Sequence, residues 1–374
     1  MRLLLVGPSW PFRGGVARAT TLLAQALEAQ GALAGFLVPW RQYPRFLYPG
    51  SSDWDEKACP RLAQATPCFS LFNPFSWRRL SQWAKRLGPD AVVVPHWTAA
   101  WTPLEYFLTL HPWPIFGVVH NPADHDGSPW SRWASWVTLR RFRGFLTHAK
   151  AVAWRLERWF PEKAVRVYPL PPPETTAVAQ EEARRALGLP LGATVFLFFG
   201  LVRPYKGVDI LLDAAPLIPR ERPWVLAVAG EVWGMAGALD RRLREPSLKG
   251  RVVLHRRWVP EEETHLWFSA ADVVVLPYLR ATGSAVAAQA LAYGLPLVVT
   301  RCGGLQDVVQ AGVNGLVVEP GDAAGLAQAM GALLDPEFRQ ELARGARVLG
   351  RQWSWRVYAS TLVELVREAL ARGV

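Results

Sequence analysis

Short apolar runs alternate along the whole chain with longer stretches in which apolar and polar residues mix at helical spacing. In the first half the runs at residues 3–7, 33–39, 91–95, 115–119 and 144–147 are continuous rather than alternating, which predicts strands buried on both faces. Residues 16–30, 77–87, 130–143 and 150–159 lie between or after them and carry helical periodicity. The second half repeats the scheme, with strands at 195–199, 224–229, 252–255, 273–277, 297–300 and 316–318 and helices between them. Helices at 336–350 and 354–372 close the chain. This alternation predicts parallel sheets joined by right-handed crossovers. Residues 40–75 break the pattern, being aromatic and irregular, and read as a long functional loop or as a stretch that hides an element. The proline-rich stretch at 168–174, YPLPPPE, reads as a stiff connector. Because 374 residues exceed what one core usually serves, the expectation is an α/β chain of two doubly wound domains, 1–170 and 171–353.

The stretch at 276–304 organises the chemistry. A strand is followed by Thr282, Gly283 and Ser284, with Ser284 a natural helix N-cap. An Ala-rich helix starts at Ala285, stops at Gly294 and is followed by a second strand and the turn Cys302-Gly303-Gly304. A helix that begins just past the carboxyl end of a parallel strand aims its N–H groups at an anion, so the two turns can cradle one phosphorylated ligand. The turn GLVRPYKG at 200–207 places Arg203 and Lys206 at another strand end, two cations suited to a diphosphate. A solvated basic turn is the plainer reading of such a pair, and the strand-end position favours function. Gly14 and Gly15 open the first helix and permit close approach of a ligand, without the spacing of a dinucleotide site. His96, His120 and His148 end three strands; His96 and His148 read as hydrogen-bonded structural histidines. Asp53 and Asp55 have the spacing of a metal-binding pair, but no predicted strand end presents them.

The net charge of +11 is unevenly placed: residues 1–173 hold 20 Lys/Arg against 10 Asp/Glu, and 13 of the 19 tryptophans. Arginine and tryptophan used as filler would explain the totals but not the asymmetry. A basic, Trp-rich half suits an anionic membrane surface. The cations are scattered and no nucleic-acid module is present, which argues against nucleic acid as a partner. No apolar run approaches a membrane span, and the first apolar run is too short for a signal peptide. Cys59, Cys68 and Cys302 lack metal-ligand spacing and are odd in number, which suggests a reduced, cytoplasmic setting, at the inner face of the membrane.

The segments VFLFFGLVRPYKGVDILLDA, VAGEVWG, VVLHRRWVPEEE, AADVVVLPYLRATGSAVAAQALAYGLPLVVTRCGGLQDVV and AGVNGLVVEPGD follow one another in the order and spacing of glycosyltransferase family 4 (group 1). The chain resembles these nucleotide-sugar transferases over residues 192–374, and more loosely over 1–170 through the Gly14-Gly15 loop and the strand ending at His120. The resemblance implies the GT-B architecture, two Rossmann-like domains facing a cleft, with the final helix, 354–374, returning to the first domain. It implies an N-terminal acceptor-side domain and a C-terminal nucleotide-sugar domain. It implies His120 as the catalytic histidine beside the transferred sugar. Gly14, Gly15, Arg203, Lys206, Gly283, Ser284 and Ala285 would hold the donor diphosphate, and Val259 and Gln289 would border the nucleoside. Asn121, His125, Glu231 and Thr282 would contact sugar or acceptor.

The implied reaction is a retaining transfer to a glycan or polyprenyl-linked acceptor in cell-surface polysaccharide synthesis, with no cofactor and no bound metal. The chain departs from the family at the usual pair of glutamates, which are Ala281 and Gln289 here, and at Leu201, where the family has its diphosphate arginine. Family members carrying SATQSGV in this place are similar to ATGSAVAAQALAYG. The departures leave two rivals: a non-catalytic nucleotide-sugar-binding protein and a GT-B sugar-nucleotide epimerase.

Overall fold

The computed structural model describes residues 1–42, 52–55, 65–124 and 128–372. The first elements are β1 (Leu3–Val6), α1 (Gly15–Ala29), β2 (Leu33–Arg41), β3 (Ala65–Ser70), α2 (Trp77–Leu87), β4 (Ala91–His96), α3 (Thr102–Leu108), β5 (Ile115–Val119), α4 (Pro129–Leu139), β6 (Gly144–Thr147), α5 (Lys150–Trp159) and β7 (Ala164–Val167). Then come α6 (Gln180–Leu187), β8 (Thr194–Phe199), α7 (Val208–Ala214), β9 (Trp224–Ala229), α8 (Ala236–Leu243), β10 (Val252–His255), α9 (Glu261–Ala270) and β11 (Val273–Leu276). The chain ends with α10 (Ala285–Ala292), β12 (Leu297–Thr300), α11 (Leu305–Val308), β13 (Gly315–Val318), α12 (Ala323–Ala332), α13 (Pro336–Gln352) and α14 (Trp355–Ala371). It divides into two compact units, Met1–Leu170 with Ser354–Val374, and Pro171–Trp353.

The first unit is a seven-stranded parallel sheet in the order β3-β2-β1-β4-β5-β6-β7. Strand residues alternate between two cores, because successive side chains point to opposite faces. Leu4, Val6, Val92, Val94 and Val119 face α2, α3, α4 and α5. Leu3, Leu5, Val93, Phe116 and Val118 face α1 and α14. α14 is held there by buried Tyr358, Leu362, Leu365 and Val366, and Gln30 donates to its Arg356 carbonyl at 2.8 Å. The second unit is a six-stranded parallel sheet in the order β10-β9-β8-β11-β12-β13, with one continuous apolar core. In each unit the strand order reverses once, between β1 and β4 and between β8 and β11. At such a switch point neighbouring loops diverge and leave a crevice at the strand carboxyl ends. Among the described residues, no helix is long and apolar enough to cross a membrane.

Three local expectations are corrected. Residues 40–75 are not irregular throughout, for they contain β3, an edge strand that can hold Pro67 because an edge does not need every N–H. Short α3 and the half-exposed edge strand β7 also carry too little apolar pattern to be seen in advance. The helix expected at 130–143 ends at Leu139, and the following turns bring the Arg143 N–H onto the Ile115 carbonyl at 2.7 Å. Residues 52–55 pair with the loop that leaves the carboxyl end of β1, through a Phe12–Trp54 bridge and an Arg13 N–H bond to the Asp53 carbonyl at 2.8 Å. Asp53 and Asp55 therefore do lie beside a strand end. Among the described residues, no group of three or more His, Cys, Asp or Glu is arranged to hold a metal ion.

Candidate functional site

In the second unit the loops after β8, β9, β11 and β12 meet at the switch point, and glycines let them do so. Gly230 ends β9 at φ 154°, and a Cβ there would lie 2.0 Å from the Gly200 carbonyl oxygen. Gly303 has φ 47°, and a Cβ there would lie 1.6 Å from the Ala281 oxygen. Any larger residue would push these loops apart, so the 302–304 turn sits against the 281–284 turn only because Gly303 has no side chain. A Cβ at Gly200 would lie 3.5 Å from Lys206 Nζ and 3.7 Å from Val286 Cγ2. The Lys206 ammonium, the end of β8 and the first turn of α10 thus converge on one spot.

The head of α10 is built as an N-terminus. Ser284 Oγ accepts from the Ala287 N–H at 3.3 Å. The first N–H groups of a helix have no intrahelical partner, so those of Ala285 and Val286 remain to face a ligand. Gly283 has open space where a Cβ would stand. Tyr278 bonds Ser284 through its hydroxyl, and burial pushes its phenol above the ordinary range.

The two cations are set differently. The Arg203 guanidinium lies over the Trp233 indole at 4.3 Å and bonds the Tyr205 hydroxyl. The loop after β9 reinforces this placement, with Val202 N–H on the Glu231 carbonyl at 2.9 Å and Trp233 N–H on the Val202 carbonyl at 2.8 Å. Lys206 lies over the Tyr278 ring at 5.4 Å. Burial, with the Arg203 charge adding to it, brings the Lys206 ammonium down to about 8. A bound anion would compensate that cost, which is the electrostatic setting of an anion receptor rather than of a solvated turn.

The sign of a pH effect follows. Lys206 is charged below about 8 and neutral above it. Affinity for a nucleoside diphosphate is therefore expected to be full at pH 7 and to fall about tenfold by pH 9. Titration calorimetry across this range checks it: Lys206→Arg should flatten the profile, and a flat wild-type profile would remove Lys206 from anion binding.

Of the nucleoside-side candidates, Gln289 is buried in α10 and Val259 is buried in the loop after β10. Glu231 and Thr282 sit in the loops after β9 and β11. Tyr205, Trp233 and Tyr278 were not singled out from the sequence, where an aromatic next to a cation carries no signal until the fold stacks them.

In the first unit Gly14 is the N-cap of α1 at φ 122°, with Gly15 as its first residue. His120, at the carboxyl end of β5, lines a cavity of about 10 Å³ with Thr20, Pro95, Trp355 and Tyr358, room for roughly one water. Its main-chain N–H bonds the His96 carbonyl at 2.8 Å. His96 is wholly buried, 2.8 Å from Glu105 and 3.2 Å from Ser135, and is structural. His148 is more than that: its Nε2 lies 3.2 Å from His120 Nδ1, and its Nδ1 lies 3.4 Å from the Tyr358 hydroxyl. Burial, opposed by a hydrogen bond to the Tyr168 carbonyl, brings His148 down to about 4. Burial and the neighbouring His148 and His96 hold His120 well below the ordinary imidazole value. Both rings are neutral at pH 7.

The two rings share one N–H between His148 Nε2 and His120 Nδ1, with the Tyr358 hydroxyl on His148 Nδ1, which leaves His120 Nε2 as the ring nitrogen for a ligand hydroxyl. Asn121 Nδ2 donates to the Trp97 carbonyl at 3.2 Å, tying the loops after β4 and β5 together. His125 lies outside the described residues.

Comparison with known proteins bears on the family and the fold. Residues 13–173 match the family model described as Glycosyltransferase Family 4, and residues 193–336 match Glycosyl transferases group 1. A D-inositol 3-phosphate glycosyltransferase of Xylanimonas cellulosilytica is 36% identical over 208 residues, covering 54% of this chain and 49% of the relative. One of Corynebacterium urealyticum is 38% identical over 199 residues, covering 51% and 47%. The chain spans about half the length of the curated relatives it matches. A sucrose-phosphate synthase from Thermosynechococcus elongatus has a similar fold, with a TM-score of 0.79 at 19% identity over 100% of both chains. So does Anabaena Alr3699/HepE in complex with UDP, with a TM-score of 0.74 at 16% identity over 98% of this chain and 100% of that one. The chain belongs to the family 4, group 1 glycosyltransferases, and its two parallel-sheet units are the Rossmann-like domains of the GT-B fold.

Proposed function

We propose that this chain transfers a sugar from a nucleoside-diphosphate sugar to a glycan or polyprenyl-linked acceptor in cell-surface polysaccharide synthesis, retaining anomeric configuration and using no bound metal. The observation that carries the donor half is the meeting of Lys206 Nζ, Gly200 and the head of α10, with Arg203 beside them. As the glycosidic bond breaks, the diphosphate leaving group gains negative charge. Lys206, Arg203 and the N–H groups of Ala285 and Val286 stabilise that charge without first having to reorganise. Gln289, in the place of a ribose-binding carboxylate, holds hydroxyls through a neutral amide. In the first unit, His120 Nε2 accepts from a hydroxyl of the sugar. The setting is cytoplasmic, at the inner face of the membrane.

The shared name of the curated relatives favours a second acceptor, a small phosphorylated polyol such as inositol 3-phosphate. The test is a thermal-shift panel of UDP, GDP, ADP and TDP, with UDP first because a structural neighbour was solved with it. A nucleotide at a hundred times its dissociation constant should stabilise the fold by about 2.7 kcal/mol. A shift with one nucleotide, absent in Lys206→Ala, supports the donor site; no shift with any of them overturns it. Product analysis with polyprenyl-phosphate sugars and with inositol 3-phosphate then separates the acceptors. Binding with neither transfer nor hydrolysis would mean that Ala281 has left a non-catalytic site.

A further inference from the structure

One helical face of the first unit carries an unusual surface. Helices α2 to α5 form one layer, opposite α1 and α14. Within it α4 buries Ser131, Ser135, Thr138 and Leu139 and turns Trp130, Trp133 and Trp136 outward at helical spacing. Trp130 is 68% exposed, Trp133 55%, and Trp154 on neighbouring α5 60%. A solvent-facing helix normally puts its polar residues there, so this inversion calls for a partner. The charge is as one-sided as the apolar surface. Residues 129–163 hold 8 Lys/Arg against 2 Asp/Glu, and α4 contains no acid at all.

We infer that the outward face of α4 and α5 is the surface by which this protein rests on a membrane rich in anionic lipid. This deepens the lipid-linked acceptor reading and rests on it for its purpose, though not for its evidence. Indoles settle at the boundary between headgroups and acyl chains, and arginines beside them reach the lipid phosphates. The structure sets them side by side, with Arg140 over the Trp136 ring at 5.3 Å and Arg158 over the Trp154 ring at 5.4 Å. Two other occupants fit less well. A second copy docked through this face would set like charges against each other across a two-fold axis. A single-stranded nucleic acid needs free ring faces on which to stack its bases. Here Trp130 and Trp133 are stacked on one another with centroids 4.9 Å apart, and Trp136 and Trp154 each have an arginine over one face.

The experiment is sedimentation of the full chain with phosphatidylglycerol–phosphatidylcholine vesicles and with pure phosphatidylcholine vesicles, at low and high salt. The wild type should sediment with the anionic vesicles, and binding should weaken with salt. The double variant Trp130→Ser, Trp133→Ser should bind at least about tenfold less, and Arg155→Glu with Arg158→Glu should lose the preference for anionic lipid. These side chains are exposed, so melting temperature and the UDP shift should not change. Failure of the wild type to sediment, equal binding to neutral vesicles, or undiminished binding by the Trp variant each overturns the inference. So does a solution dimer, or retention on single-stranded RNA, that the Trp variant abolishes. Because the UDP shift is read on the same samples, loss of vesicle binding alone leaves the donor site standing, and loss of the shift alone leaves the surface standing.

Discussion

Replacing His120 with alanine is expected to lower turnover by about a hundredfold or more while leaving nucleotide affinity within about twofold. The expectation rests on where the ring sits and what its nitrogens do. His120 belongs to the first unit, whereas the diphosphate candidates Arg203, Lys206 and Ala285 belong to the second. On the proposed function, loss of the ring acts on the sugar being transferred rather than on the leaving diphosphate. His148 Nε2 lies 3.2 Å from His120 Nδ1, which leaves Nε2 of His120 for the sugar hydroxyl. His120→Gln, whose amide oxygen can accept the same bond, should recover part of the loss. Because burial keeps His120 and His148 neutral at pH 7, the wild-type rate should show no step from them as the pH rises from 7 to 9. Steady-state kinetics with a separate measurement of nucleotide binding decides the matter. Equal loss of turnover and affinity would make His120 a donor-binding or structural residue.

Replacing Lys206 with alanine is expected to weaken nucleoside-diphosphate binding by about tenfold or more, the loss of one charge-assisted contact of about 1.5–3 kcal/mol. The effect should exceed that of Arg203→Ala, since Arg203 divides its guanidinium between the Trp233 face and the Tyr205 hydroxyl. The free protein should become slightly more stable, because an ammonium depressed to about 8 is a buried charge that costs stability at pH 7. That penalty is fully present below about 8 and disappears toward 10.5 as the folded-state lysine gives up its proton first. Weaker binding together with unchanged or higher melting temperature would mark Lys206 as a ligand-binding cation. An unchanged dissociation constant would remove it from the site.

Much of this was legible in the residues themselves. Short β-branched apolar runs such as 273–276 and 297–299, bounded by turn residues, read as strands covered on both sides, so the parallel sheets followed from local pattern. The N-cap at Ser284 was legible because capping is local chemistry. Elements with weak local signals were not legible. β3 contains a proline and β7 is half exposed, and each earns its place only by pairing at a sheet edge.

What tertiary structure alone decided is which distant residues face one another. Gly303 reads as a turn glycine, and only folding reveals that Ala281 leaves no space for a Cβ there. Arg203 and Trp233 are thirty residues apart by number, and parallel pairing of Val202 with Val232 brings them into contact. His148 reads as an inert strand-end histidine, yet pairing of β5 with β6 sets it against His120, and α14 delivers Tyr358 behind it from the far end of the chain. Periodicity, capping and charge act between neighbours and can be read along a sequence. Register, strand order and the electrostatic coupling of buried rings depend on separations of many residues closing in space, and no local pattern encodes those distances.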